Sequence, residues 1–293
     1  MKYLIVKGAL GFGDRLESLK MAVAYAIHYN LKIYVDWRDP LWSHGDNDFY
    51  TYFKLVNMPV LNSLDDIPTD ATYHPPFWKH NLHQQLSHEF MLQHQNDSLD
   101  IGVLSQPYNA DVVVLSSIGN RTLYSDSKFF ADVFRIVDPR ILSKIQYHAS
   151  RKSLNESWGV HIRGTDRAKR FGRRLWNIQS IVLGFTSRGG MNAQHIVAVS
   201  DDKEQVQIWK NYYPQTYVVS EESLKYSTLE GNHHISKDRL QVSKDQMNVD
   251  LLVDFFVLAS CQNIFSTVKD SRFYKEALRL HPFVNTILNG NKN

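Results

Sequence analysis

Cysteine is nearly absent: Cys261 is the single one among 293 residues. No internal disulfide can form, so a reducing compartment is expected, with Cys261 a small buried residue. No run approaches the roughly 18 apolar residues that a membrane-spanning helix needs, so no membrane span is expected. The opening residues 1–6 are too short for a signal-peptide core and run into a glycine loop, which points to a cytoplasmic protein. Without a secretion signal, the Asn-x-Ser/Thr triplets at Asn96, Asn120 and Asn155 read as chance matches. A strong charge of one sign is also missing. The net charge is +3, which argues against a polycationic face and a nucleic-acid partner. A nucleophile elbow, a Walker loop and a Cys–His pair are missing too, and with them the usual hydrolase and triphosphatase signatures.

What is there suits packed cores. Hydrophobic residues make up 43% and aromatics 12%, far from a disordered composition. The length suggests two domains of roughly 150 residues each. Residues 3–6 form an apolar strand, followed by Gly8, Gly11 and Gly13. Leu16, Leu19, Met21, Val23, Ala24 and Ile27 then recur at helical spacing, and 31–35 alternates as a strand. This β-loop-α-β unit opens a parallel α/β sheet. Residues 112–115 read as a buried parallel strand. Short helices are predicted at 49–55 and 83–95, and one or two helices over 129–148 with a break near Asp138-Pro139. In the second half, strands are predicted at 158–162, 196–199, 217–219 and 264–265. Helices are predicted from about 176 and over 203–212, 249–260 and 271–280. The fold class is α/β, with domains at 1–150 and 151–293.

The chemistry concentrates in Val160-His161-Ile162-Arg163-Gly164-Thr165-Asp166-Arg167, a strand ending in a loop that stays basic through Lys169, Arg170, Arg173 and Arg174. Guanidinium forks match phosphate oxygens, so the segment suits a diphosphate; the plainer reading is a solvated charged loop. The glycine loop allows close backbone approach and leads to a helix N-terminus that favours an anion. Its spacing departs from the dinucleotide fingerprint, and Asp14 would repel a phosphate. Asp14 either caps the helix or holds a sugar hydroxyl. Ser200-Asp201-Asp202 follows a strand, where open α/β sheets place ligand contacts. Its carboxylates cap the next helix, bind ribose hydroxyls or bind a metal. Asp254 sits in an apolar helix, which is costly unless it faces a partner, a purine edge being one candidate. Residues 266–272 enter a helix, as a phosphate cradle or an ordinary capped start. His74, His80, His83, His88 and His94 crowd one segment without clear zinc spacing. They read instead as lining a polar glycan groove with Trp42, Tyr50, Tyr73, Phe77 and Trp78.

Taken in order, these segments resemble the inverting fucosyltransferase superfamily that uses GDP-fucose. Nodulation-factor fucosyltransferases and the α-1,6 relatives that modify N-glycan cores match best. Gly11-Phe12-Gly13-Asp14-Arg15-Leu16 and Tyr34-Val35-Asp36-Trp37-Arg38 look like the family's N-terminal signature. His161-x-Arg163-x-x-Asp166 looks like its His-x-Arg-Arg donor motif. Val197-Ala198-Val199-Ser200-Asp201-Asp202 is similar to the following strand end, and 254–272 to the last motif. Residues 41–150 are unmatched.

The resemblance implies two facing Rossmann-like domains of the GT-B type, an N-terminal acceptor half and a C-terminal donor half. It implies that Arg163 binds the β-phosphate, His161 sits at the nucleoside and Asp254 reads guanine. Ser271, with Ser266 or Thr267, then holds phosphate; Gly11, Gly13, Arg167, Asp201 and Asp202 complete the expected donor-binding set. Two residues depart from the pattern. Gly164 replaces the second arginine of the donor motif, so Arg167 or Arg170 must supply that phosphate contact. Phe171 stands where some relatives place a glutamate.

The expected catalytic residues are Arg163, Asp166 and Asp14. Cleaving a sugar from a diphosphate develops charge on the leaving group, which cationic and backbone donors stabilise. GDP-fucose is then a substrate, and neither a cofactor nor a divalent metal is expected. Asp14, Asp36 and Asp166 are candidates for deprotonating the acceptor hydroxyl. The expected partners are a GDP-sugar and an oligosaccharide or glycan acceptor, the latter chosen by 41–110. Two other readings stay open: the same fold with another nucleotide sugar, and a nucleotide- or glycan-binding homologue that has lost transfer.

Overall fold

The computed structural model describes residues 2–45, 47–99, 107–116, 126–164, 178–226 and 240–290. The chain forms two compact units, Met1–Val137 with Thr286–Asn293, and Asp138–Asn285.

The first unit is built on a parallel sheet of β1 (Tyr3–Lys7), β2 (Lys32–Asp36), β4 (Tyr73–His74) and β5 (Val112–Ser116), in the order β2-β1-β5-β4. β1 and β5 lie inside this sheet, which explains their continuous apolar runs. Ile5, Val112 and Val114 pack with Trp78, Leu82 and Leu86 in the core. β3 (Phe53–Leu55) pairs antiparallel with β6 (Phe134–Ile136). The glycine loop joins β1 to the Phe12–His28 helix, whose N-cap is Gly11. Gly8 has a packing reason, because a Cβ there would overlap Nη1 of Arg15. Arg15 is buried and forks onto both oxygens of Asp39, at 2.8 and 2.6 Å, while its Nε donates to the carbonyl of Leu10.

A second buried ion pair lies at the carboxyl ends of β1 and β2. Lys7 Nζ lies 2.6 Å from Oδ2 of Asp36 and donates to the carbonyls of Leu82 and Gln84. Arg38 Nε donates to Oδ1 of Asp36 at 2.7 Å. Burial alone would push the Asp36 carboxyl up, but Arg38 and Lys7 outweigh it and hold the group below its ordinary value.

The second unit carries a parallel sheet of β7 (Ser157–Ile162), β8 (His195–Ser200), β9 (Tyr217–Val218) and β10 (Asn263–Ser266), ordered β10-β7-β8-β9. The chain steps from β7 outward to β9 and returns to β10 on the other side of β7. The carboxyl ends of β7 and β10 therefore flank a topological switch point, the usual ligand crevice of such sheets. Gly159 lets Cys261 pack against β7, since a Cβ at 159 would lie 2.9 Å from that side chain. Burial pushes the Cys261 thiol up to about 12.

The helix expected over 83–95 is only His88–Gln93, and two further sequence expectations need correction. Residues 49–55 are not one helix: the helix Phe49–Tyr52 stops and the chain extends into β3. Likewise 129–148 contains β6 between the helices Ser127–Val133 and Pro139–Arg151. Both errors share a cause, for the pairing of β3 with β6 spans some eighty residues and leaves no local signal. The Pro139–Arg151 helix lies in the second unit. Arg140 reaches Asp245 at 2.5 and 2.9 Å, and Lys144 reaches Asp250 at 2.6 Å, tying this helix to the Lys244–Ser260 helix.

Candidate functional site

Parallel pairing in register sets the site. Ser266 pairs with His161 and Ile162 with Ser200, so β10, β7 and β8 end at one level. The residues just beyond those ends converge on a cleft of about 500 Å3, its open mouth included. It is lined by His161, Arg163, Ser200, Asp201, Asp254 and Phe273, among others.

His161 is buried at the end of β7, with Nδ1 2.8 Å from Oγ of Ser266 and its ring stacked on Phe273 at 5.2 Å. Burial, aided by the charge of Arg163, pushes its pKa down to about 3, so the ring is neutral at physiological pH. Thr267 donates its hydroxyl to the carbonyl of His161 and accepts the N–H of Arg163 at 3.1 Å. Ser266 and Thr267 thus fasten the His161–Arg163 segment to β10.

Arg163 places Nη1 3.2 Å from Oδ2 of Asp201, and Oδ1 of the same carboxylate accepts the N–H of Gly164 at 3.0 Å. Asp202 caps the Lys203–Tyr212 helix by accepting from Glu204 N and Gln205 N. Its burial raises its pKa. Of the roles open to these carboxylates, Asp202 takes the cap, while Asp201 contacts Arg163 and Gly164. A Cβ at Gly164 would overlap Oδ2 of Asp202, so an arginine has no room there.

Asp254 lies on the cleft wall formed by the Lys244–Ser260 helix. Met247, Leu251 and Asp254 line it together, as spacings of four and three residues require on a helix. Ser220 donates to Oδ2 of Asp254 at 2.5 Å. Burial raises the pKa of this carboxyl to about 8; the Ser220 hydrogen bond and Lys144 pull it down, while Asp250 and Asp201 push it up. Ser271 caps the Arg272–Leu280 helix, accepting from Tyr274 N at 3.5 Å.

The second unit therefore brings His161, Arg163, Asp201 and Asp254 around one cleft, with Ser266, Thr267, Asp202 and Ser271 supporting its walls. Gly11, Gly13 and Asp14 stand at the head of the Phe12–His28 helix in the first unit, Asp14 in its first turn. Asp166, Arg167, Arg170 and Phe171 lie outside the described residues. Asp36, a candidate base in the sequence, is committed to two cations in the interior. The aromatic groove is likewise not formed as expected. Trp42 and Trp78 are buried, and the hydroxyl of Tyr50 accepts the N–H of Val35. Among the described residues, no group of three or more His, Cys, Asp or Glu side chains is placed to hold a metal ion.

Sequence reasoning missed Phe273, Ser223 and Ser220. Phe273 was within reach as a residue of the predicted helix after the serine turn; a lone serine behind a two-residue strand offers no signal.

No family model matches the sequence, and no curated protein matches it. Solved structures do. The chain is similar to NodZ α-1,6-fucosyltransferase soaked with GDP-fucose, with TM-score 0.66 and 16% identity over 96% of this chain and 93% of that one. The chain has the fucosyltransferase fold. It is the GT-B architecture, shared with POFUT1 in complex with GDP at TM-score 0.55 and 10% identity over 95% and 94% of the two chains. A point mutant of Arabidopsis thaliana FUT1 in complex with GDP is similar at TM-score 0.53 and 12% identity, over 96% of this chain and 69% of that one. Within this fucosyltransferase fold, the cleft at the ends of β7, β8 and β10 occupies the carboxyl side of the second sheet.

Proposed function

We propose that the chain is an inverting glycosyltransferase that moves fucose from GDP-fucose to a glycan hydroxyl without a divalent metal. The observation that carries this reading is that a guanidinium, Arg163, and a carboxylate on an apolar helix, Asp254, line the same switch-point cleft. A guanine edge presents adjacent N–H donors to a carboxylate, and a diphosphate presents oxygens to a guanidinium. One nucleotide can satisfy both. Solved structures of this fold with GDP or GDP-fucose support the same choice.

In this reading Asp254 takes the base and His161 and Phe273 pack the nucleoside. Arg163 takes the β-phosphate, and Ser271 with the helix head behind it faces the phosphates. The bond from the anomeric carbon to the β-phosphate oxygen breaks, and its electron pair leaves with GDP. The acceptor oxygen attacks the opposite face and gives its proton to a carboxylate, Asp14 or Asp166, inverting the centre. Arg163 stabilises the charge that grows on the leaving group. The first unit serves the acceptor, and the single buried cysteine suits a cytoplasmic setting.

Thermal-shift titration with GDP, UDP and ADP tests the donor. GDP should raise the melting temperature well above the other two, and an equal response to all three would refute the reading. Acceptor glycans incubated with GDP-fucose, with the product linkage read by NMR, test the transfer.

A further inference from the structure

Asp254 is held from behind by a residue that does not line the cleft. The N–H of Ser200, at the end of β8, donates to Oγ of Ser220 at 2.9 Å, and that hydroxyl donates to Oδ2 of Asp254 at 2.5 Å. Because the hydroxyl already accepts from the backbone, its own hydrogen is aimed at the carboxylate. Ser220 itself is buried, and among the described residues it is the hydrogen-bond partner of Asp254. The relay fixes the plane of the carboxylate and engages Oδ2, while the side chain still lines the cleft.

We propose that Ser220 is a positioning residue for base recognition: its hydroxyl orients Asp254 and favours the ionised form that accepts the N–H groups of guanine. This rests on the GDP-sugar reading of the cleft. The chemistry follows from the charge balance around the carboxylate. Asp250 on the same helix and Asp201 beyond β8 oppose its ionisation, and Lys144 on the Pro139–Arg151 helix favours it. Tyr226 donates to Asp250, and His161 and Arg163 line the cleft beside Asp254. Ser220 is the donor that contacts the carboxylate directly. Guanine capture by a carboxyl that is partly protonated in the empty site must release that proton, so GDP binding strengthens as pH rises towards the pKa of Asp254 and then levels.

The test measures GDP affinity by calorimetry from pH 6 to 9 for the wild type, Ser220→Ala, Asp254→Asn and the double variant. It is paired with a 13C NMR titration of the aspartate carboxyls in nucleotide-free protein. Ser220→Ala should raise the Asp254 midpoint and weaken GDP binding at neutral pH about tenfold for each unit of that rise. In the Asp254→Asn background, removal of the Ser220 hydroxyl should add nothing, because it acts through the carboxylate. An unchanged midpoint, or an equal loss of affinity in the Asp254→Asn background, would overturn the proposal. If Ser220→Ala fails to fold, Ser220→Cys, a weaker donor of similar size, should shift the midpoint in the same direction. The carboxyl titration is independent of nucleotide. A wild type that ignores GDP therefore refutes the donor reading, while a midpoint unmoved by Ser220→Ala refutes the relay.

Discussion

The two oxygens of Asp201 divide between adjacent residues, one taking the N–H of Gly164 at 3.0 Å and the other meeting Nη1 of Arg163 at 3.2 Å. The carboxylate therefore anchors both the backbone of the loop and the guanidinium of Arg163. Arg163→Ala should lower kcat/KM by about two orders of magnitude, the scale lost when one donor to a developing anion is removed. Steady-state kinetics with GDP-fucose checks this, and near-wild-type turnover would contradict the role.

Asp254 and His161 make opposite contributions to stability against pH. The folded pKa of Asp254 is raised to about 8, so the native state holds a proton that the unfolded state releases near 4. Its contribution is complete below about pH 4 and is lost progressively as pH rises from about 4 to about 8. The folded pKa of His161 is lowered to about 3, so the unfolded chain takes up a proton first, and stability is lost as pH falls from about 6.5 towards 3. Each contributes a slope of at most about 1.4 kcal/mol per pH unit within its window. Denaturant melts of Asp254→Asn across pH should lack the loss of stability between about pH 4 and 8 and keep the loss that His161 causes as pH falls below about 6.5.

Gly164→Ala should destabilise the fold by about 1–3 kcal/mol, the usual range for forcing atoms into a filled space. The added Cβ can enter only if Asp202 gives up its cap on the Lys203–Tyr212 helix. Gly164→Arg should cost at least as much and bring no gain in nucleotide affinity. A Gly164→Arg variant that is stable and binds GDP more tightly would show that the loop has room that the geometry denies.

Asp39→Ala should be severely destabilising, by about 3–5 kcal/mol, because it leaves the buried guanidinium of Arg15 without its counter-charge. Urea denaturation measures it. A loss below about 1 kcal/mol would mean that water reaches Arg15 and screens its charge.

Much of the fold could be read from local pattern. The apolar runs of β1, β5 and β8 and the spacing of the Lys203–Tyr212 helix each report burial by themselves, and the structure places them as expected. What stayed hidden depends on partners distant in the chain. Phe53–Leu55 carries the aromatic residues of either state, and only β6 makes it a strand. Lys7, Arg15, Asp36 and Asp39 look like surface charges until their pairing in the interior is seen. The site divides in the same way. Arg163, Asp201 and Asp254 stood out because charged residues at strand ends or on an apolar helix need a reason, and His161 stood out through its resemblance to the donor motif. Ser220 and Phe273 are ordinary residue types, and only their placement gives them a task.

The most direct measurement is a crystal structure of the protein soaked with GDP. Guanine N–H groups should lie on the Asp254 carboxylate, with the β-phosphate within hydrogen-bond distance of the Arg163 guanidinium. GDP bound away from this cleft, or in it with Arg163 turned aside and the base clear of Asp254, would contradict the assignment.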